Sequence, residues 1–311
     1  MPAEPTDLIS RRTALKCLAF GGAGTLYTLS GGVLTPIDLA FGAMNERRAA
    51  SATALFVQIS DTHIGFNKEA NPDVQGTLRR TIDLVNDMPT RPELVLHTGD
   101  ITHLTKPEEF DTAAQLFSGL RVSELHTVPG EHDVIDGTGA AYFERYGGPS
   151  KGKGYYSFDA RGVHFVGLIN VLNFRAGGLG ALGEEQLAWL EGDLRGRGAS
   201  TPIVVFAHMP LWTIYDPWGW GTADADRALA HLKRFGSVTV LNGHIHQIIQ
   251  KVEGNITFHT ARSTAYPQPG PGNAPGPGPL KVGLDRLPGM LGLTSLTVKD
   301  HASSLRDTTL A

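Results

Sequence analysis

Cysteine is almost absent from this chain, with one in 311 residues, Cys17. An internal disulfide framework is therefore excluded, and loss of the N-terminal segment would remove thiolate chemistry as well. Charge is sparse, at 19% of residues against roughly 25% in an average soluble domain, and it is balanced to a formal −4. No basic footprint for nucleic acid exists, nor a polybasic signal for a membrane surface, and neither partner is expected. Sustained apolarity is lacking too. The stretch from Cys17 to about Leu34 is interrupted by Gly21, Gly22, Gly24, Gly31 and Gly32, which makes it poorer than a membrane-spanning helix.

What is present is 41% apolar residues, 38 glycines, 19 prolines and twelve histidines. This composition excludes disordered and fibrous classes and predicts many turns around a sizeable core. The length suits about two domains or one large α/β domain.

The N-terminus reads as an address. Ser10 to Lys16 is S-R-R-T-A-L-K, a basic pair ahead of an apolar run, and it resembles the twin-arginine signal of bacterial proteins exported in folded form. Ala40-Phe41-Gly42 suits a small-x-small cleavage site; the alternative is a retained anchor. The expected organisation is a signal peptide at 1–42, a linker at 43–53, a catalytic domain at 54–300 and a flexible C-terminus at 301–311. The twin-arginine export machinery is then a partner, the location is periplasmic or otherwise exported, and no stable membrane span remains after processing.

From residue 54 onward, short strand-like runs alternate with helical patterns, which predicts a layered α/β fold. The strand candidates are Ala54 to Ser60, Leu94 to Thr98, Leu125 to Val128, Val163 to Ile169, Ile203 to Ala207 and Val238 to Leu241, with a hairpin over Ile248 to Val252 and Ile256 to Thr260. Helices are predicted over Gln75 to Met88, from Pro107 towards Phe117, over Glu184 to Leu194 and over Asp224 to Phe235. The tract from Pro267 to Pro279 cannot be regular and is expected to lie extended on the surface.

Five segments place Asp, His or Glu directly after a predicted strand: Asp61-Thr62-His63, Gly99-Asp100, Gly130-Glu131-His132-Asp133, Ala207-His208 and Gly243-His244-Ile245-His246. In α/β folds the carboxyl ends of the strands line one crevice, so these side chains are expected to converge there. Gly99, Gly130 and Gly243 are expected to let the backbone turn sharply. Asp61, His63, Asp100, Glu131, His208, His244 and His246 make seven donors. A single zinc site needs three or four, so two ions fit better, and mixed imidazole and carboxylate donors suit Fe, Mn, Zn or Co. Two ions ~3.5–4 Å apart can clamp the oxygens of a displacement at phosphorus.

With these motifs the chain resembles the calcineurin-like metallophosphoesterase superfamily over about residues 54 to 262, specifically its bacterial cyclic-nucleotide and glycerophosphodiester branch. The resemblance implies an α/β/β/α sandwich of two packed mixed sheets with the metal site at the C-terminal strand ends. It further implies two divalent or mixed-valence metal ions and attack of a metal-bridging hydroxide on a small-molecule phosphodiester. By resemblance Asp61, His63 and His246 bind the first metal, Asp100 bridges, and Glu131, His208 and His244 complete the second site. His132 stands outside the metal shell and serves the leaving group, unless it is a buried structural histidine held by Asp133. The alternatives are a phosphomonoesterase of acid-phosphatase type and a metal- or phospho-ligand-binding protein with little turnover, because Glu131 replaces the family's Asn. His103 occupies the place where purple acid phosphatases carry a metal-binding Tyr; it is a further ligand, a donor to Asp100, or a solvent-facing loop residue. The remaining histidines, including His97, His126 and His164, are read as packed or surface residues.

Three of the four tryptophans fall between Leu211 and Trp220, straight after His208. Trp212, Tyr215, Trp218 and Trp220 are expected either to wall the substrate entrance or to fold onto one another.

Overall fold

The computed structural model describes residues 27–30, 33–36, 54–150, 152–173 and 178–311. The chain divides into two units, residues 1–49 and 50–311. In the first, the described residues are two strands, β1 (Tyr27–Ser30) and β2 (Val33–Pro36), paired antiparallel. Arg11, Arg12, the expected cleavage site at 40–42 and the linker at 43–53 lie outside the described residues.

The second unit is built on two mixed sheets. One has five strands, β3 (Ala54–Ile59), β4 (Leu94–His97), β5 (Leu125–Thr127), β12 (Gly292–Lys299) and β13 (Ala302–Thr309), in the order β13-β12-β3-β4-β5. The other has six, β6 (Tyr156–Ala160), β7 (Val163–Gly167), β8 (Ile203–Ala207), β9 (Val238–Asn242), β10 (Gln250–Glu253) and β11 (Ile256–Thr260), in the order β10-β11-β9-β8-β7-β6. The centres are parallel, β3-β4-β5 in one sheet and β7-β8-β9-β11 in the other.

Successive strand residues face opposite sides, so a run that is apolar throughout must be covered on both. Phe56, Leu94, Leu96, Phe165, Val204 and Phe206 pack between the sheets. Their neighbours Val57, Ile59 and Val95 meet Leu78, Ile82 and Val85 of α1 (Val74–Asn86), Phe110 and Phe117 of α2 (Pro107–Phe117) and Tyr142 of α3 (Ala140–Tyr146). On the far side, Val166, Val205 and Val240 meet Leu187, Leu190 and Leu194 of α4 (Glu184–Leu194) and Ala228, Leu229 and Leu232 of α5 (Ala225–Leu232). The expected sandwich of two packed sheets between helices is what forms.

One sequence expectation is corrected. Residues 301–311, read as a flexible end, instead supply β13, which pairs with β12 from Lys299↔Ala302 to Gly292↔Thr309. Leu310 is buried against Leu287 and Leu291. The strand is polar, S-S-L-R-D-T-T, because it lies at a sheet edge and needs only backbone pairing and part of one face. β6 and β12 were likewise not expected. The tract Pro267–Pro279 is irregular, as anticipated.

Histidines within strands are packed. His164 lies between Asp159 (2.9 Å) and Asp193 (2.7 Å), and the ring of His126 stacks on Phe158. His97 is buried as a neutral ring: Nδ1 accepts from the Gly99 N–H at 3.2 Å, and Nε2–H donates to Thr62 Oγ1 at 3.3 Å. A second proton would face the Gly99 N–H, and burial pulls the group down to about 3 from 6.5. Below pH 6.5 the unfolded chain takes up a proton that the folded chain refuses. Stability therefore falls as pH drops towards 3, by up to about 1.4 kcal/mol per pH unit. His97→Gln is expected to show a shallower acid-side loss in urea unfolding between about pH 6.5 and 4.5, whatever its stability at neutral pH.

Candidate metal centre

The predicted donors follow the ends of the parallel strands β3, β4, β5, β8 and β9. Among the described non-glycine residues nine have positive φ, and five of these are Asp61 (53°), His63 (40°), Asp100 (56°), His244 (70°) and His246 (54°). The left-handed region costs a residue with a Cβ roughly 1–2 kcal/mol, and such residues concentrate at functional sites. Here the turns are held by bonds between loops. Asp61 N–H donates to Gly99 O (3.0 Å) and His63 N–H to Asp100 O (2.9 Å). Ser263 Oγ–H donates to Asp61 O at 2.7 Å.

The carboxylate of Asp133 ties the second and third loops together. Its oxygens accept from the N–H groups of Ile101 (3.0 Å), Thr102 (2.8 Å) and Gly130 (3.0 Å) and from Thr102 Oγ1 (2.9 Å). It does not hold His132, as one reading had it; His132 Nδ1–H donates to His103 O at 2.7 Å. Gly99 does turn with positive φ (96°). Gly130 and Gly243 serve instead by close approach: a Cβ would run into the Asp100 carboxylate at Gly130 and into Ser60 Oγ and Asp61 Oδ2 at Gly243.

All seven donors converge. Asp61, His63, Asp100 and His246 form one cluster with ligand atoms within 4.8 Å of one another, and Glu131, His208 and His244 form a second. Within the first, His63 Nε2 is 3.1 Å from His246 Nε2, and His246 Nε2 is 3.3 Å from Asp61 Oδ1. In the second, Glu131 points inward, with Oε2 at 2.8 Å from His208 Nε2 and Oε1 at 2.9 Å from His244 Nδ1. Asp100 Oδ2 stands between the clusters, 3.5 Å from His63 Nε2 and 3.4 Å from His208 Nε2.

These donors fit metal ions. Asp61 Oδ2, Glu131 Oε2, His208 Nε2 and both ring nitrogens of His244 are buried without a hydrogen bond of acceptable geometry, which is costly unless a cation satisfies them. Ring orientation points the same way. His208 Nδ1–H donates to Thr98 O (2.7 Å) and His246 Nδ1–H to Tyr266 O (2.6 Å), leaving each Nε2 lone pair aimed at the centre. Burial pushes the Asp61 carboxyl up, but the positive charge that His246 and His208 carry when protonated, the place a bound cation would take, outweighs it and holds it at about 2. Burial opposes ionisation of Glu131 as well, and His244 and His208 overcome it, so the carboxyl lies well below its usual range. At Asp133, burial and the Asp100 charge raise the carboxyl to about 6 despite its backbone donors.

His103 reaches the site by a route the sequence did not show. Its Nδ1 faces His63 Nδ1 at 3.4 Å, and its ring stacks on His132 with centroids 5.0 Å apart; it makes no bond to Asp100. Tyr266 was missed altogether, although its ring stacks on His63 (4.8 Å) and its carbonyl fixes His246. The strand-end logic applied to β11 would have pointed to it.

A cavity of about 460 Å³ opens beside Glu131, His132 and His244. Of the four aromatics expected at the entrance only Trp218 lines it. Trp220 is fully buried against Trp218 and Ile245, Tyr215 packs on the same cluster, and Trp212 packs on Phe258. The loop is folded mainly onto its own apolar side chains, which is where large rings lose most surface.

Residues 54–248 match the family described as calcineurin-like phosphoesterase. The glycerophosphodiester phosphodiesterase GpdQ of Enterobacter lignolyticus is 29% identical over 233 residues, spanning 69% of this chain and 79% of that protein. A probable glycerophosphodiester phosphodiesterase GpdQ of Arcobacter nitrofigilis is 26% identical over 226 residues, 68% and 79% of the two chains. Among solved structures, a dimetal phosphatase from Danio rerio shares the fold with TM-score 0.65 at 14% identity, over 83% of this chain and 96% of that one. The purple acid phosphatase PPD1 from yellow lupin seeds does so with TM-score 0.59 at 15% identity, over 84% and 52%. With its fold, its strand-end donors and a family match across most of the catalytic unit, the chain belongs to the calcineurin-like phosphoesterase family and is a metal-dependent phosphoesterase.

Proposed function

We propose that the chain is an exported phosphodiesterase working with two metal ions. The observation that carries the dinuclear reading is the place of Asp100 Oδ2, at 3.5 and 3.4 Å from one imidazole of each cluster. Asp61, His63 and His246 would hold one ion and Glu131, His208 and His244 the other, with Asp100 shared. Bound metal supplies the positive charge that polarises the phosphoryl oxygens and lowers the pKa of water. His132 would give a proton to the departing alcohol, a role supported by its Nδ1–H bond to His103 O and by its position lining the cavity beside Glu131. Diesters are favoured over monoesters because Glu131 adds a carboxylate where the family pattern has Asn, and a less positive site binds a dianion less well. The relatives at 29% and 26% identity are diesterases by name, which supports the same choice.

Bis-nitrophenyl phosphate is expected to turn over faster than nitrophenyl phosphate, with both activities abolished by a chelator and restored by Fe, Mn, Zn or Co. A preference for the monoester would favour the phosphatase reading, and full metal occupancy without any turnover would favour a binding protein.

Glu131→Asn is expected to lower the inhibition constant for inorganic phosphate by about tenfold, the effect of one unit charge at close range. Unchanged phosphate affinity and unchanged metal content by elemental analysis would remove Glu131 from the site.

Export rests on the S-R-R-T-A-L-K sequence alone. Replacing Arg11 and Arg12 with Lys is expected to leave the protein in the cytoplasmic fraction; undiminished periplasmic recovery would argue against a twin-arginine route.

A further inference from the structure

The cavity beside the second cluster is lined by the polar residues Glu131, His132 and His244 and by the apolar side chains of Val134, Ile135, Val171, Leu172, Met209 and Trp218. Val134, Val171, Met209 and Trp218 are buried, whereas Ile135 and Leu172 are 56% and 39% exposed and form an apolar rim. Pro277, from the Pro/Gly tract, lines the same cavity. The tract is anchored to the metal loops: Gln268 Nε2–H donates to His244 O at 3.0 Å, and Gln247 Nε2–H donates to Pro269 O at 3.0 Å.

We infer that this cavity is a subsite for the departing alcohol and that the alcohol is bulky and apolar, an alkyl or aryl group rather than glycerol. The inference rests on the phosphodiesterase reading and adds a substrate class to it. A volume of about 460 Å³ falls within the range of pockets that hold whole organic ligands, roughly 300–1,000 Å³. A glyceryl group would leave most of it empty and would set hydroxyls against Val134, Val171 and Met209, where they find no partner. An alkyl or aryl group gains by burial in proportion to its apolar area. His132 lines the same cavity, so a group inside it is the one whose oxygen would receive the proton. Water oxygen joins phosphorus, the P–O bond to the apolar alcohol breaks, and that alcohol leaves protonated.

The test is a series of methyl alkyl phosphodiesters from ethyl to hexyl, with glycerol methyl phosphate beside them, on the metal-loaded protein, followed by chromatography of the released alcohols. kcat/KM is expected to rise roughly fourfold per added methylene, with the longer alcohol released. Ile135→Ser with Leu172→Ser, both at the exposed rim and checked for folding by circular dichroism, should reduce the hexyl-to-ethyl ratio. A flat series, or preference for the glycerol ester, overturns the inference while leaving the phosphodiesterase reading intact. Hydrolysis of none of the diesters overturns both. A short-chain phosphatidylcholine, assayed below its aggregation concentration and in vesicles, separates the two sources of such an alcohol. Faster cleavage in vesicles supports the inference with a membrane lipid as the source, and equal or faster cleavage of the monomer supports it with a soluble ester.

Discussion

The buried carboxylate of Asp133 is the constraint on which the metal centre depends. It gathers three backbone N–H groups and one hydroxyl from two loops, and between those loops sits Asp100, held in a left-handed conformation that its side chain would otherwise avoid. With the loops fixed, the Asp100 carboxylate receives the His132 N–H at 2.9 Å on one oxygen and offers the other to both donor clusters. Without the clamp, the backbone would relax into a commoner turn and the shared oxygen would swing away. Strain at the donor positions is thus sustained by hydrogen bonds between loops, in which the donors' own backbone groups and the Asp61 carboxylate take part.

The imidazoles follow the same logic. A histidine can offer either nitrogen to a cation, and a ring free to rotate would offer neither reliably. At His208 and His246 a backbone carbonyl takes the Nδ1 proton, which settles both the tautomer and the direction of the lone pair. These carbonyls belong to Thr98 and Tyr266, one at the end of β4 and one just beyond β11. The site is therefore oriented by backbone from both sheets, whose relative position is set by the apolar layer of Phe56, Phe165 and Phe206.

Much of this was legible in the sequence, for a physical reason. Buried parallel strands must be apolar on both faces, so runs such as I-V-V-F-A stand out, and a polar residue just beyond one is conspicuous. The seven donors were found that way. β13 escaped because an edge strand needs little apolar surface, and Tyr266 escaped because it lies in a loop whose role appears only when β11 is placed next to β9. The aromatic loop stayed open between two readings, since a tryptophan in a loop looks the same in sequence whether it lines a cavity, like Trp218, or faces the interior, like Trp220. Asp133 was found by position but its partners are backbone N–H groups and Thr102 rather than His132, because side-chain direction within a loop is not encoded in spacing.

The pairing of β12 with β3 sets the order in which the centre can be assembled during synthesis. β3 carries Asp61 and His63 at its end, yet one of its two neighbours is made of residues 292–299 and is itself flanked by 302–309. The first strand of the catalytic unit is thus completed by residues more than 200 positions further along the chain, beyond all seven donors. Contacts of such long sequence separation are slow to form, so the sheet that carries Asp61, His63 and Asp100 is complete only after residues 292–309 have joined it.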